Sequence, residues 1–85
     1  MRVLKWPLRV DDSVQLIGPG HVINVDCQST MDAVMVWTLE PDETPVPTRK
    51  VQVIGTGQRL PDESKHLGSA VTPGGWLVWH VFEVA

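Results

Sequence analysis

Four things are missing or scarce in this chain, and each narrows what it can be. It has no run of basic residues longer than two, one cysteine, no apolar stretch near the roughly 18 residues of a membrane span, and no helical period held over three turns. Seven bases stand against ten acids for a net charge of −3. The bases (Arg2, Lys5, Arg9, Arg49, Lys50, Arg59, Lys65) are scattered, so no basic face is expected and nucleic-acid partners are disfavoured. Single-stranded nucleic-acid binding through tryptophan and arginine stays the least favoured alternative. Cys27 alone excludes an internal disulfide and fits a reducing compartment, which makes the cytoplasm the expected location. The start, Met1 to Pro7, carries charge but no apolar block with a small-residue cleavage site, so neither a signal peptide nor an anchor is expected.

Motifs for chemistry are missing too. His21, His66, His80 and Cys27 do not stand at the short spacings of zinc sites, and six residues of strand would separate His21 from Cys27 by about 20 Å. No metal and no cofactor are expected. Asp26 beside Cys27 raises rather than lowers a thiol pKa, which makes Cys27 a buried, unreactive thiol. His80 and Glu83 differ by an odd number and so face opposite sides of a strand. No nucleophile elbow is present, and the expectation is that the protein is not an enzyme.

What the chain does have is strand periodicity. At 85 residues it is one domain, 1–85, and a domain of this size buries only about 60 to 68 % of its unfolded surface, so oligomerisation would add stability. Residues 2–10 alternate with Leu4, Trp6, Leu8 and Val10 inward, and Pro7, which cannot donate to a ladder, requires that the strand lie at an edge or turn its residue 7 toward solvent. Residues 13–16 form a second strand with Val14 and Leu16 inward, and residues 21–27 a third with Ile23, Val25 and Cys27 on one face. Gly18 to Gly20 breaks the chain between them, and a polar hairpin loop follows over 28–32. Residues 33–39 are apolar on both parities, as are residues 76–82, and both runs read as central strands. Residues 49–55 and 65–72 complete the set, the latter interrupted by Gly68. Glu40 to Thr48, with three prolines and three acids, is an exposed loop, and Leu60 to Ser64 a single helical turn opened by Pro61. Thr72 to Gly75 turns the chain into its last strand. A two-residue turn would set Leu67 opposite His80, a three-residue turn Gly68. These six or seven short strands predict an all-β antiparallel sandwich or a partly open β-barrel.

Two groups of residues stand out as candidate sites. Gly55-Thr56-Gly57-Gln58-Arg59 offers backbone N–H groups and a guanidinium to an anion, and Arg49, Lys65 and His66 join it if the strands pair suitably. The four tryptophans form the second group. Trp37 and one of Trp76 and Trp79 are expected in the core. A small domain cannot cover both faces of the last strand, and the Trp79 face, with Val81 and Glu83, is expected to meet another subunit or partner, together with Trp6.

Lys5-Trp6-Pro7-Leu8, Val36-Trp37-Thr38-Leu39, Ile54-Gly55-Thr56-Gly57 with Leu60-Pro61-Asp62, and His80-Val81-Phe82-Glu83 occur in that order. In these elements the chain resembles a small family of tailed-phage proteins, a domain of unknown function. The resemblance implies an accessory phage product acting inside an infected bacterial host, and it brings no activity, substrate or site residue with it. The expected function is a non-enzymatic, self-associating binding module in the host cytoplasm that takes a host protein or a small anionic metabolite. The alternative is a minor structural or assembly component of the phage particle.

Overall fold

The computed structural model describes residues 1–18, 20–28, 33–42 and 48–85, and among them it forms seven strands and no helix. They are β1 (Arg2–Arg9), β2 (Gln15–Ile17), β3 (His21–Asp26), β4 (Ala33–Glu40), β5 (Arg49–Gly55), β6 (Lys65–Val71) and β7 (Val78–Glu83). Two antiparallel sheets result, ordered β1-β4-β3 and β2-β5-β7-β6, and neither closes on itself. Of the two architectures the sequence allows, the protein is the sandwich. Both runs that are apolar on both parities lie centrally, β4 in the first sheet and β7 in the second. β1 is an edge strand, where a proline removes no bond from a second neighbour. Pro19 and the loops over 29–32 and 43–47 lie outside the described residues. Glu40, expected in the second of these loops, instead ends β4 and pairs with Arg2 across the sheet.

The core is where the inner faces meet. Leu8, Val25, Cys27, Val34 and Val36 come from the first sheet or its flank, and Ile17, Val51, Val53, Ala70 and Val81 from the second. Small β-branched side chains dominate, which suits two sheets packed face to face. Thr38 is fully buried, yet its hydroxyl accepts a 3.0 Å hydrogen bond from Trp6 Nε1, so a polar group in the core is satisfied. The Trp6 ring lies over Gly18, where any Cβ would fall inside the indole.

Several expectations need correction. In β2 the inward residues are Gln15 and Ile17, while Val14 and Leu16 are exposed. A one-residue offset reverses every side chain, and here Gln15 decides it. Its amide donates to Arg9 O and accepts from Arg9 N, both at 2.8 Å, and so continues the ladder where β1 ends. In β3 a bulge between Val22 and Asn24 turns Ile23 outward and places Val22 and Val25 inward. Residues 60–64 form no helical turn. Residues 62 and 63 form a tight turn instead, in which Ser64 Oγ donates to Pro61 O and Glu63 sits at φ 62°, outside the helical region.

The β6–β7 connection is longer than either turn considered. Thr72 N donates to Leu77 O at 2.9 Å and Thr72 Oγ1 accepts from Leu77 N at 3.1 Å, which leaves residues 73–76 as the loop. Within it Gly75 N donates to Thr72 O at 2.8 Å, with Pro73 and Gly74 (φ 88°) at the central positions of a type II turn. Ser69 therefore faces His80, and a bulge at Leu67 then brings His66 opposite Phe82.

That bulge also sets Gly68 against the Val25 side chain of the other sheet, where a Cβ at 68 would collide. Gly68→Ala should therefore cost about 1–3 kcal/mol of unfolding free energy by overpacking. Val25→Ala in the same molecule should restore part of that loss, so urea denaturation of the single and double variants should show non-additivity well beyond about 0.5 kcal/mol. Simple additivity would mean that this contact does not set the sheet separation.

Candidate functional site

The residues predicted to cradle an anion are divided by the fold. Arg49 opens β5 and Gly55 closes it, so seven residues of strand put them about 20 Å apart. Arg49, Lys65 and His66 do come together, but at the opposite end of the sheet from the glycine turn.

At the glycine end, residues 55–58 close on themselves. Gln58 N donates to Gly55 O at 3.1 Å, Gly57 takes φ 92°, and Gly55 N donates to Gln58 Oε1 at 2.6 Å. Two N–H groups that an anion would use are thus satisfied internally. Arg59 is exposed and borders none of the three clefts described here. The turn does border a cleft of about 450 Å³ with Trp76, Leu77, Val78 and Trp79, lined by Gly55, Thr56 and Gln58 on its own side. An adjoining cleft of about 300 Å³ shares Gln58 and Trp79 and adds Val10, Asp11, Asp12 and Val53. Asp11 is engaged locally. Its carboxylate accepts from the Ser13 hydroxyl and backbone N–H and pairs with Arg9, and these bonds, Ser13's foremost, hold its pKa below the usual range.

At the other end, a cleft of about 150 Å³ opens between the sheets, lined by His21 and Val22 of β3, Arg49 of β5, and Lys65, His66 and Leu67 of β6. Arg49 Nε lies 3.7 Å from Glu83 Oε2, and Lys65 faces Glu83 across the β6–β7 ladder. The bulge at Leu67 allows consecutive residues, which would otherwise face opposite ways, to border one cleft.

Between the two ends, on the outer face of the second sheet, runs a chain of hydrogen bonds. Thr56 Oγ1 lies 3.0 Å from His80 Nε2, His80 Nδ1 2.7 Å from Ser69 Oγ, and Ser69 Oγ 2.9 Å from His66 Nε2. His66 also packs on Phe82, with ring centroids 5.1 Å apart. Sequence reasoning did not join these residues, because neither hairpin register it considered placed Ser69 opposite His80. A four-residue loop, signalled only by how Thr72 bonds to Leu77, would have done so.

The predicted interface residues mostly face inward. Val81 is fully buried and Trp79 packs against the core, so the Trp79 face of β7 is the inner one. Trp6 is held by Thr38, and Glu83 pairs with Arg49. With both parities apolar, alternation could not say which face the other sheet would cover. Trp37, expected in the core, is half-buried on the outer face of the first sheet, because Val34, Val36 and Thr38 take the inward places of β4. Trp76 lies beyond β7 in the loop and is 84 % exposed.

A family model described as a domain of unknown function (DUF7352) matches residues 1–85. No curated protein and no solved structure matches the chain.

Cys27 is buried, and burial, with the Asp26 charge adding to it, pushes its thiol pKa up. Little thiolate is present at neutral pH, and reagents reach it poorly. Iodoacetamide at pH 7.5 should alkylate Cys27 about tenfold or more slowly than free cysteine, and urea should restore the ordinary rate. Mass spectrometry of the time course checks this.

Proposed function

We propose, on the premise that the chain belongs to the DUF7352 family of domains of unknown function and takes no assigned activity from it, that the protein is a non-enzymatic binding module for a small anion. The observation that carries this reading is the convergence of Arg49, Lys65, His21 and His66 on one cleft in a protein of net charge −3. Arg49 and Lys65 bring two positive charges there against the one negative charge of Glu83, and this local excess in a protein of negative net charge draws anions to that point. A volume of about 150 Å³ suits a phosphate or carboxylate group, with the rest of a metabolite lying outside. Arg49 supplies a planar fork of donors and Lys65 a point charge on a flexible stem, and together they recognise such a group better than either alone. The likeness to tailed-phage proteins supports an accessory role in the cytoplasm of an infected host.

Calorimetric titration with phosphate, pyrophosphate and citrate tests the reading. At least one should bind, and Arg49→Gln and Lys65→Gln should each weaken it about tenfold or more, as expected for loss of a charge-assisted hydrogen bond. Lys65 is exposed, so its variant should keep the native melting temperature. No binding at about 10 mM ligand, or binding by both variants as tight as by the native protein, would remove the proposal.

A second reading, self-association, rests on the outer face of the first sheet. Val3 (58 % exposed) and Ile23 (45 %) flank half-buried Met35, Trp37 and Leu39 there, with Pro7 beside Met35, and Lys5 and Asn24 opposite Trp37 and Asp26 opposite Met35 make the face mixed. A second copy of the chain would cover the apolar part of this face by two-fold pairing, and a host protein is the competing occupant. Light scattering behind size exclusion should then report a dimer that Trp37→Lys converts to monomer. A native protein monomeric up to about 500 µM would argue against it.

A further inference from the structure

The cleft beside the glycine turn has a different chemistry from the cationic one. Neither it nor its neighbour is lined by lysine, arginine or histidine. What it has is an indole left in water: Trp76 is 84 % exposed, so its large apolar surface is unburied. The ring is nevertheless placed, since Cδ1 lies 3.1 Å and Nε1 3.4 Å from where a Gly74 Cβ would stand, and φ 88° at Gly74 favours glycine.

A second observation comes from Trp79, which borders both clefts. Its Nε1 is buried and has no hydrogen-bond partner among the described residues. Buried donors without acceptors are rare because leaving one unmade is costly, and this one belongs to a side chain that forms a wall of both clefts. Gln58 adds to the set. Its Oε1 is used by Gly55 N, which leaves its –NH2 as a donor toward the cleft. Asp12 adds an acceptor, since unlike Asp11 it forms no ion pair among the described residues.

We propose that these two adjoining clefts form a binding site for a neutral saccharide, with Trp76 as the stacking platform. A pyranose offers an apolar C–H face to an indole and hydroxyls that both donate and accept. Gln58 supplies a donor and Asp12 the acceptor, and Trp79 an aromatic wall between the two clefts. The volumes, about 450 and 300 Å³, lie in the range of ordinary ligand pockets, about 300–1,000 Å³. A nucleotide fits the same walls less well. Asp12 repels phosphate, and no second exposed ring stands opposite Trp76 to sandwich a base. This site is independent of the anion cleft and stands whether or not that one binds.

The experiment titrates ¹⁵N-labelled protein with trisaccharides of glucose, galactose and N-acetylglucosamine to about 10 mM, following the four indole N–H signals. One series should give saturable shifts at Trp76 and Trp79, the signal of the exposed Trp76 moving most as a sugar stacks on its ring. Trp76→Ala, a substitution at an exposed position that should leave the melting temperature unchanged, should weaken binding about tenfold or more. Asp12→Asn should weaken it several-fold, and Lys65→Gln should leave it unaltered. Three outcomes would overturn the proposal: no saturable shift with any series, native-like binding by Trp76→Ala, or shifts at these indoles with adenosine but no saccharide.

Discussion

The register of the β6–β7 hairpin is the constraint on which the rest of this structure depends. It is held at one end by the two hydrogen bonds between Thr72 and Leu77, and it is reset midway by the bulge at Leu67. Between those points Ser69 faces His80, and beyond the bulge Lys65 faces Glu83. A shift of one residue would replace Ser69 by Gly68 or Ala70 opposite His80, break the hydroxyl–imidazole chain and remove Lys65 from beside the Arg49–Glu83 pair. It would also move Gly68 off Val25, the one place on β6 where the absence of a side chain lets the first sheet approach. Hairpin register thus governs packing between the sheets as well as pairing within one.

A comparable economy appears where β1 ends. The second strand has three residues, too few to bury much by itself, and Gln15 compensates by bonding both backbone groups of Arg9. That side chain ties the edge of one sheet to the edge of the other near the point where the chain crosses between them. Its neighbour Ile17, 1 % exposed, is then held in the core, while Leu16 is left in solvent. A polar residue is buried and a leucine exposed because the amide matches the geometry of a strand's own donor and acceptor.

The fold was largely legible, and the reasons are specific. Strand periodicity located all seven strands, and two-sided apolarity singled out β4 and β7 as central. Facing was less legible. In β2 and β3 simple alternation gave the wrong inward set, because a side-chain amide and a bulge are tertiary facts that leave no mark on hydrophobic spacing. In β7 alternation was ambiguous, because both parities are apolar: Trp79 and Val81 take the inner face, and His80 and Phe82 the outer one, where they meet Ser69 and His66. For the candidate site, charge alone identified Arg49, Lys65 and His66, but strand length separates them from the glycine turn. The tryptophan cleft was invisible as a unit, since Trp76 and Trp79 meet Gln58 only through the pairing of Gly55 with Trp79.

The two ends of the second sheet are linked as well as separated. Thr56 borders the aromatic cleft, His66 the cationic one, and Ser69 and His80 complete a continuous chain between them. A hydroxyl donates one proton but accepts at two lone pairs, and a neutral imidazole donates from one nitrogen only, so the direction of one bond in such a chain constrains the next. With His66 neutral and its Nδ1 carrying the proton, Ser69 donates to His66, His80 donates to Ser69, and Thr56 donates to His80. Thr56 then presents only lone pairs to the aromatic cleft. With the proton on His66 Nε2, Ser69 accepts from His66 and its own hydroxyl proton becomes free for His80 Nδ1; when it is given there, His80 donates from Nε2 to Thr56 and the Thr56 hydroxyl proton is released toward that cleft. One neutral tautomer of His66 thus fixes the direction of every bond in the chain, whereas the other leaves Ser69 able to accept from both imidazoles.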